Sequence, residues 1–210
     1  MSDKIIRAIS SRIRSFIYKL GYGNNFKGIN LFWRISNLTI NGTGNTIVIN
    51  CRLSKGLRIM IFGNNHKLTI DKNVTFKRGT IWFEDNACEI HISSNTTIES
   101  ANISVAEDST RCVIGNDCML SQDIRISTTD SHSVIDNETG LRLNNAADII
   151  IEPHVWIGYA AAINKGVIIG HDSVVAGHSV VTKSVEPHTV VAGVPAKPVK
   201  GNINWDRKRI

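Results

Sequence analysis

The sequence predicts an all-β protein, a parallel β-helix of hexapeptide repeats with a short N-terminal helix and a C-terminal tail. Three features carry that prediction: apolar residues six apart in the C-terminal half, a 22-residue repeat in the N-terminal half, and an interruption between them.

Ile151, Ile157, Ile163, Ile169, Val175 and Val181 stand six apart without a gap. Four residues after each comes Val155, Ala161, Val167, Ser173, Ser179 or Val185, all small or β-branched. On an α-helix a step of six turns each anchor by about 240°, so they would share no face. On an extended chain six is a multiple of two, and every anchor points the same way. Three such faces close a triangular coil of 18 residues, and stacked coils pair as parallel strands around an apolar interior.

The N-terminal half repeats every 22 residues, with Ile70, Ile92 and Ile114 equivalent and Val48 expected in the same register. The turns Gly63-Asn64-Asn65, Asp85-Asn86-Ala87 and Glu107-Asp108-Ser109 align across the same step. Each unit reads as the same coil with one corner lengthened. The segment Asn24 to Asn45 reads as a degenerate first coil.

Composition narrows the function. The chain of 210 residues suits one domain with a sizeable core. Its formal charge of +6 fits a partner bearing phosphates or carboxylates. Lys and Arg cluster only at the two ends and no nucleic-acid motif is present, so nucleic acid is not an expected partner. Cys51, Cys88, Cys112 and Cys118 form no C-x-x-C pair and no His falls at zinc-finger spacing, so small buried thiols and no metal are expected. No apolar h-region opens the chain and no run is long enough to span a bilayer, which makes the cytoplasm the expected location.

The hexads, with VWIGYAAAINKGVIIG from Val155 and VVAGVPAKPVK from Val190, resemble the hexapeptide-repeat acyltransferase family. TDSHS from Thr129 and NWDRKR from Asn204 look like its branch that O-acetylates surface polysaccharides. The resemblance covers about residues 45 to 210. It implies a left-handed helix, against the usual right-handed crossover. It also implies homotrimers with active sites between subunits, an acetyl-CoA donor and a saccharide acceptor.

The interruption, residues 127–148, is the expected active-site loop and carries Asp130, His132, Asp136, Glu138 and Arg142. Acyl transfer to a hydroxyl needs a base near neutral pH, and the same group can then protonate the leaving thiolate; histidine suits both tasks. His132 lies at the base of the interruption and matches the family's catalytic histidine. Asp130 either accepts a hydrogen bond from that imidazole or serves as a turn former. The first requires an extended segment. The other six histidines, at 66, 91, 154, 171, 178 and 188, are expected to be solvated.

Trp156 faces outward between inward Val155 and Ile157. It resembles the aromatic that flanks the thioester in the polysaccharide branch, and a trimer-interface role is compatible. No serine lies in G-x-S-x-G, so direct transfer in a ternary complex is expected. Gly158, Ala160, Ala176 and Gly177 are expected at outer turns, where small residues let a pantetheine arm lie close. Lys183, Lys197 and Lys200 are either partners for the CoA phosphates or solvated lysines.

Three domain segments follow: 1–23 an amphipathic helix, 24–203 the β-helix, 204–210 a tail expected to pack over the last coil. The helix stripe of Ile5, Ile9, Ile13, Phe16, Ile17 and Leu20 either caps the first coil or makes peripheral contact with an anionic membrane. An N-acetyltransferase of an amino sugar and a non-catalytic scaffold are the alternatives. A zinc carbonic anhydrase on the same fold would need His154 matched near residue 172, where His171 falls one short.

Overall fold

A computed structural model describes residues 23–28 and 37–210. The expected N-terminal helix lies outside the described residues, as does part of the first coil. No α-helix occurs among the described residues, and none is long and apolar enough to cross a membrane.

The strands stack in parallel as the periodicity requires. In the C-terminal half Ile150 pairs Ile168, Trp156 pairs Val174 and Ala162 pairs Val180, each one 18-residue coil apart. In the N-terminal half Lys67 pairs Glu89 and Glu89 pairs Arg111, each 22 residues apart. All six hexad anchors are exposed by no more than 1 %, and the small partners four residues on are buried with them. The core is one continuous column of Ile, Val, Leu and Phe from Ile47 to Val191. The four cysteines are free and buried, with Cys112 pushed up to about 12 and Cys118 to about 11, foremost by desolvation. They are inert thiols.

Two sheets cover the three faces, one of 7 and one of 12 strands. The larger spans two faces because Thr75–Phe83 and Thr97–Val105 run through a corner without a break. One register differs from expectation. Ile49, not Val48, pairs with Ile70, because this first step is 21 residues. Ile49 is buried and Val48 only partly so.

Corners need residues that accept left-handed backbone. Asn73, Asn95, Asp117, His154, Asp172 and His188 occupy successive positions of one corner with φ between 56° and 64°. Asn, Asp and His tolerate that region better than other side-chain-bearing residues. The amide of each of the last five donates to a carbonyl one coil earlier, as His154 does to Asn116 (2.9 Å). A second corner is a side-chain ladder. The Asn64 amide donates to Asn86 Oδ1 (3.2 Å), and the Asn86 amide to Asp108 Oδ1 (2.9 Å).

The structure corrects the reading of His66, His91 and His154 as solvated, whereas His178 and His188 are exposed as expected. His66 is 1 % exposed; its Nδ1 accepts from the Cys88 amide (3.1 Å) and its Nε2 donates to Phe62 O (3.2 Å). That pairing fixes the neutral tautomer, and desolvation, the largest cause, lowers its pKa. His91 bonds Asp71 at 3.0 Å. His154 bonds Asp117 (2.9 Å) and stacks on Trp205 with ring centres 4.2 Å apart.

The C-terminal tail is also corrected. It does not stop over the last coil but runs back down the corner as a strap. Ile203 donates its amide to His188 O (3.0 Å), and Trp205 Nε1 donates to His154 O (2.7 Å). Arg207 reaches Asp117 Oδ1 (3.0 Å) and Thr97 Oγ1 (2.8 Å).

Candidate active site

The interruption grows from the corner that carries Asp85-Asn86-Ala87 and Glu107-Asp108-Ser109 in the preceding coils. Its ends are joined by the Ala147 amide donating to Thr128 O (3.0 Å). Its middle is a short antiparallel ribbon in which Ile135 bridges Arg142 and the Leu143 amide donates to Val134 O (2.8 Å). Asp136 serves that ribbon's turn, accepting from the amides of Glu138 (3.0 Å) and Thr139 (2.7 Å).

One bidentate pair fastens the loop to the coil below. Arg142 places its two terminal nitrogens 2.6 and 2.7 Å from the Glu107 carboxylate, and Thr129 Oγ1 donates to the same group. Arg142 first, then Thr129, hold Glu107 down to about 2. A carboxylate depressed in the folded state contributes stability above its ordinary value, and loses it as pH falls through the folded one. The loop should therefore stay docked at about pH 4. Amide protection factors at the loop base are expected to be as high there as at neutral pH, and low in Glu107→Gln at either. Early loss of protection in the parent chain would remove Glu107 as the anchor.

His132 sits just after the loop's entry. The His132 amide donates to Asp130 O (2.8 Å) around Ser131, whose φ is 67°. This three-residue turn is a strained form. The segment is thus not extended, and Asp130 does not share a face with the imidazole. Its carboxylate instead accepts from Asn144 Nδ2 (2.9 Å) and from Lys165 Nζ. Of the two readings of Asp130, the dyad with His132 is not made. Asn144 also donates to His132 O (2.8 Å), and Lys165 donates to Asn144 O (2.7 Å). Asn144, Asp130 and Lys165 therefore clamp the main chain of His132. Its exposed ring has no hydrogen bond among the described residues.

The sequence reading did not single out Lys165 or Asn144. Lys165 stands before Gly166 at an outward corner position, one coil above the loop; that adjacency was the available signal.

The other expected residues fall elsewhere. Trp156 is 38 % exposed, beside the strap, with Trp205 6.1 Å away. It begins the face after the His154 corner, whereas the His132 loop rises from a different corner. No hydrogen bond or ring contact joins them among the described residues. Gly158 is a correction. It is buried, not at an outer turn, and a Cβ there would lie 2.6 Å from Gly177 N and 2.9 Å from Val175 O. Coil stacking accounts for that glycine. Ala160 (φ 55°) and Gly177 do lie at a corner, with Ala176 half-buried beside them. Lys183, Lys197 and Lys200 are exposed, as expected of either reading.

Comparison with known proteins is consistent across sequence and structure. No family model matches the chain. It is 39 % identical over 174 residues to a polysialic acid O-acetyltransferase of Neisseria meningitidis, covering 81 % of this chain and 80 % of that one. It is 36 % identical over 119 residues to the polysialic acid O-acetyltransferase of Escherichia coli O1:K1 / APEC; that match spans 57 % of this chain and 38 % of the relative. Among solved structures, the polySia-specific acetyltransferase NeuO superposes with TM-score 0.76 at 34 % identity, over 89 % of this chain and 86 % of that one. The polysialic acid O-acetyltransferase OatWY superposes with TM-score 0.59 at 32 % identity, over 90 % and 93 %.

Proposed function

The chain belongs to the hexapeptide-repeat acetyltransferases of the left-handed β-helix fold, and from that premise we propose that it moves an acetyl group from acetyl-CoA to a hydroxyl of a surface-polysaccharide sugar in the cytoplasm. His132 is the base. The observation that carries this reading is an exposed imidazole with no hydrogen bond among the described residues, on a main chain clamped by Asn144, Asp130 and Lys165. A general base needs a free nitrogen and a fixed position, and the site offers both.

The reaction is direct. Nε2 or Nδ1 of His132 takes the proton from the sugar hydroxyl as its oxygen attacks the thioester carbonyl. The C–S bond then breaks, and the imidazolium returns the proton to the thiolate. Acetyl-CoA supplies the acyl group and the thiol leaving group. The buried thiols, held protonated, leave no cysteine to form an acyl-enzyme. Two relatives named for polysialic acid, and a charge of +6, favour a polyanionic acceptor rich in sialic acid.

A homotrimer completes the reading. Within one chain, the His132 loop and Trp156 occupy different corners. A neighbouring copy against the loop would bring such corners together. It would also cover Val134, Leu141 and Leu143, which are 54 %, 66 % and 63 % exposed.

Thermal stability with and without acetyl-CoA tests donor binding. At about 100 times its dissociation constant the donor should add roughly 2.7 kcal/mol. No upward shift in melting temperature at saturating donor would favour a non-catalytic scaffold.

A further inference from the structure

The strapped corner gathers a second set of ligating side chains, away from the His132 loop. Asp172 Oδ2 lies 2.7 Å from His171 Nδ1 and 3.8 Å from His188 Nδ1. The two imidazoles meet edge to face, with centres 4.9 Å apart and planes at 87°. One donor atom from each of the three side chains falls within 4.8 Å of the others. Two successive coils hold them at one corner of the stack. The His188 amide donates to His171 O (3.0 Å), the Asp172 amide to Pro153 O (3.3 Å) and the His171 amide to Glu152 Oε2 (2.8 Å).

We propose that His171, Asp172 and His188 form a binding site for a divalent transition-metal ion, with Zn²⁺ as the best-fitting one and water completing the shell. Two imidazoles and one carboxylate suit Zn²⁺, Ni²⁺ or Cu²⁺, whereas Mg²⁺ and Ca²⁺ take oxygen donors. Zinc bonds of about 2.0–2.2 Å place tetrahedral neighbours roughly 3.3 Å apart. The observed spacings of 2.7 and 3.8 Å straddle that value, so small side-chain rotations admit the ion without moving the backbone. The sequence alone predicts no metal, because no His falls at zinc-finger spacing and none matches His154 eighteen residues on. The donor set mixes an Asp into the stack and uses a shorter last step of 16 residues, which puts His188 in register with Asp172.

Occupancy fastens the last two coils to each other. It also reaches the strap, because His188 O accepts from the Ile203 amide (3.0 Å), while an ion on His188 Nδ1 displaces that nitrogen's contact with Ile203 O (3.2 Å). The site takes no part in acetyl transfer, so it stands or falls apart from that reaction.

The test uses the full chain without an affinity tag, stripped by chelator, then titrated with Zn²⁺ by calorimetry and with Co²⁺ by visible absorption. One ion per chain, a raised melting temperature and the strong d–d absorption of a tetrahedral Co²⁺ site are expected. Asp172→Asn and His188→Asn should each bind at least about tenfold more weakly, since even outer-shell partners are worth that much. Asparagine keeps the left-handed corner at both positions, so the coils survive, as circular dichroism would verify. His178→Asn, at another left-handed corner, should bind like the parent. Absence of binding, or binding unaffected by both site variants, overturns the proposal.

Discussion

His132→Ala is expected to lower turnover by roughly two to four orders of magnitude while leaving the fold and donor affinity intact. The size follows from what is removed. The hydroxyl would have to lose its proton to water, and the thiolate would leave without an acid. Donor affinity should survive because His132 lies on the loop while the small residues expected to line the pantetheine path, Ala160, Ala176 and Gly177, lie on other coils and corners. The clamp of Asn144, Asp130 and Lys165 holds the main chain and not the ring, so the loop keeps its shape in the variant. Near-parental turnover would remove His132 from the chemistry. Loss of donor binding as well would place it in the cofactor site instead.

Gly79→Ala should be one of the most damaging single-methyl changes to the fold. Gly79 stands where the strand Thr75–Phe83 passes from one face to the next, with φ 129°. A Cβ there would lie 1.8 Å from Ala101 O, a main-chain atom that cannot swing aside. The backbone conformation alone costs an L-residue about 1–3 kcal/mol. Parting two coils to relieve the overlap costs about as much again. In a chain of this size each kcal/mol lowers the melting temperature by about 2–4 °C, so a fall on the order of 10 °C is expected. Because coils contact only their neighbours, the damage should centre on the coils containing Gly79 and Ala101 and spare the hexads beyond Ile149. Hydrogen exchange resolves that difference. Uniform loss of protection would mean the stack melts as one unit.

The parts legible in the sequence were those fixed by local period. Every inward position from Ile151 to Val181 followed from the six-residue step, because alternate residues of a strand face alternate sides. Val48 shows where this fails. Val48 and Ile49 are both β-branched and adjacent, so composition does not separate them, and one missing residue in the step shifts the register. The corner residues were legible only as outward. That His154 and His188 hold left-handed backbone, and that His66 turns inward, depends on main-chain groups one coil away, 17 to 38 residues distant in sequence. The clamp on His132 was hidden for the same reason: Lys165 meets Asp130 across 35 residues. The Asp130–His132 dyad failed on a purely local fact, the positive φ of Ser131, which the serine itself does not signal.

The central claim is acetyl transfer to a saccharide hydroxyl, and thiol release from acetyl-CoA in the presence of a sialic acid polymer tests it most directly. The account predicts thiol release that requires the polymer, yields alkali-labile O-acetyl esters on it and disappears in His132→Ala. Thiol release that ignores every saccharide offered, or an acetyl group recovered as an alkali-stable amide, would contradict it.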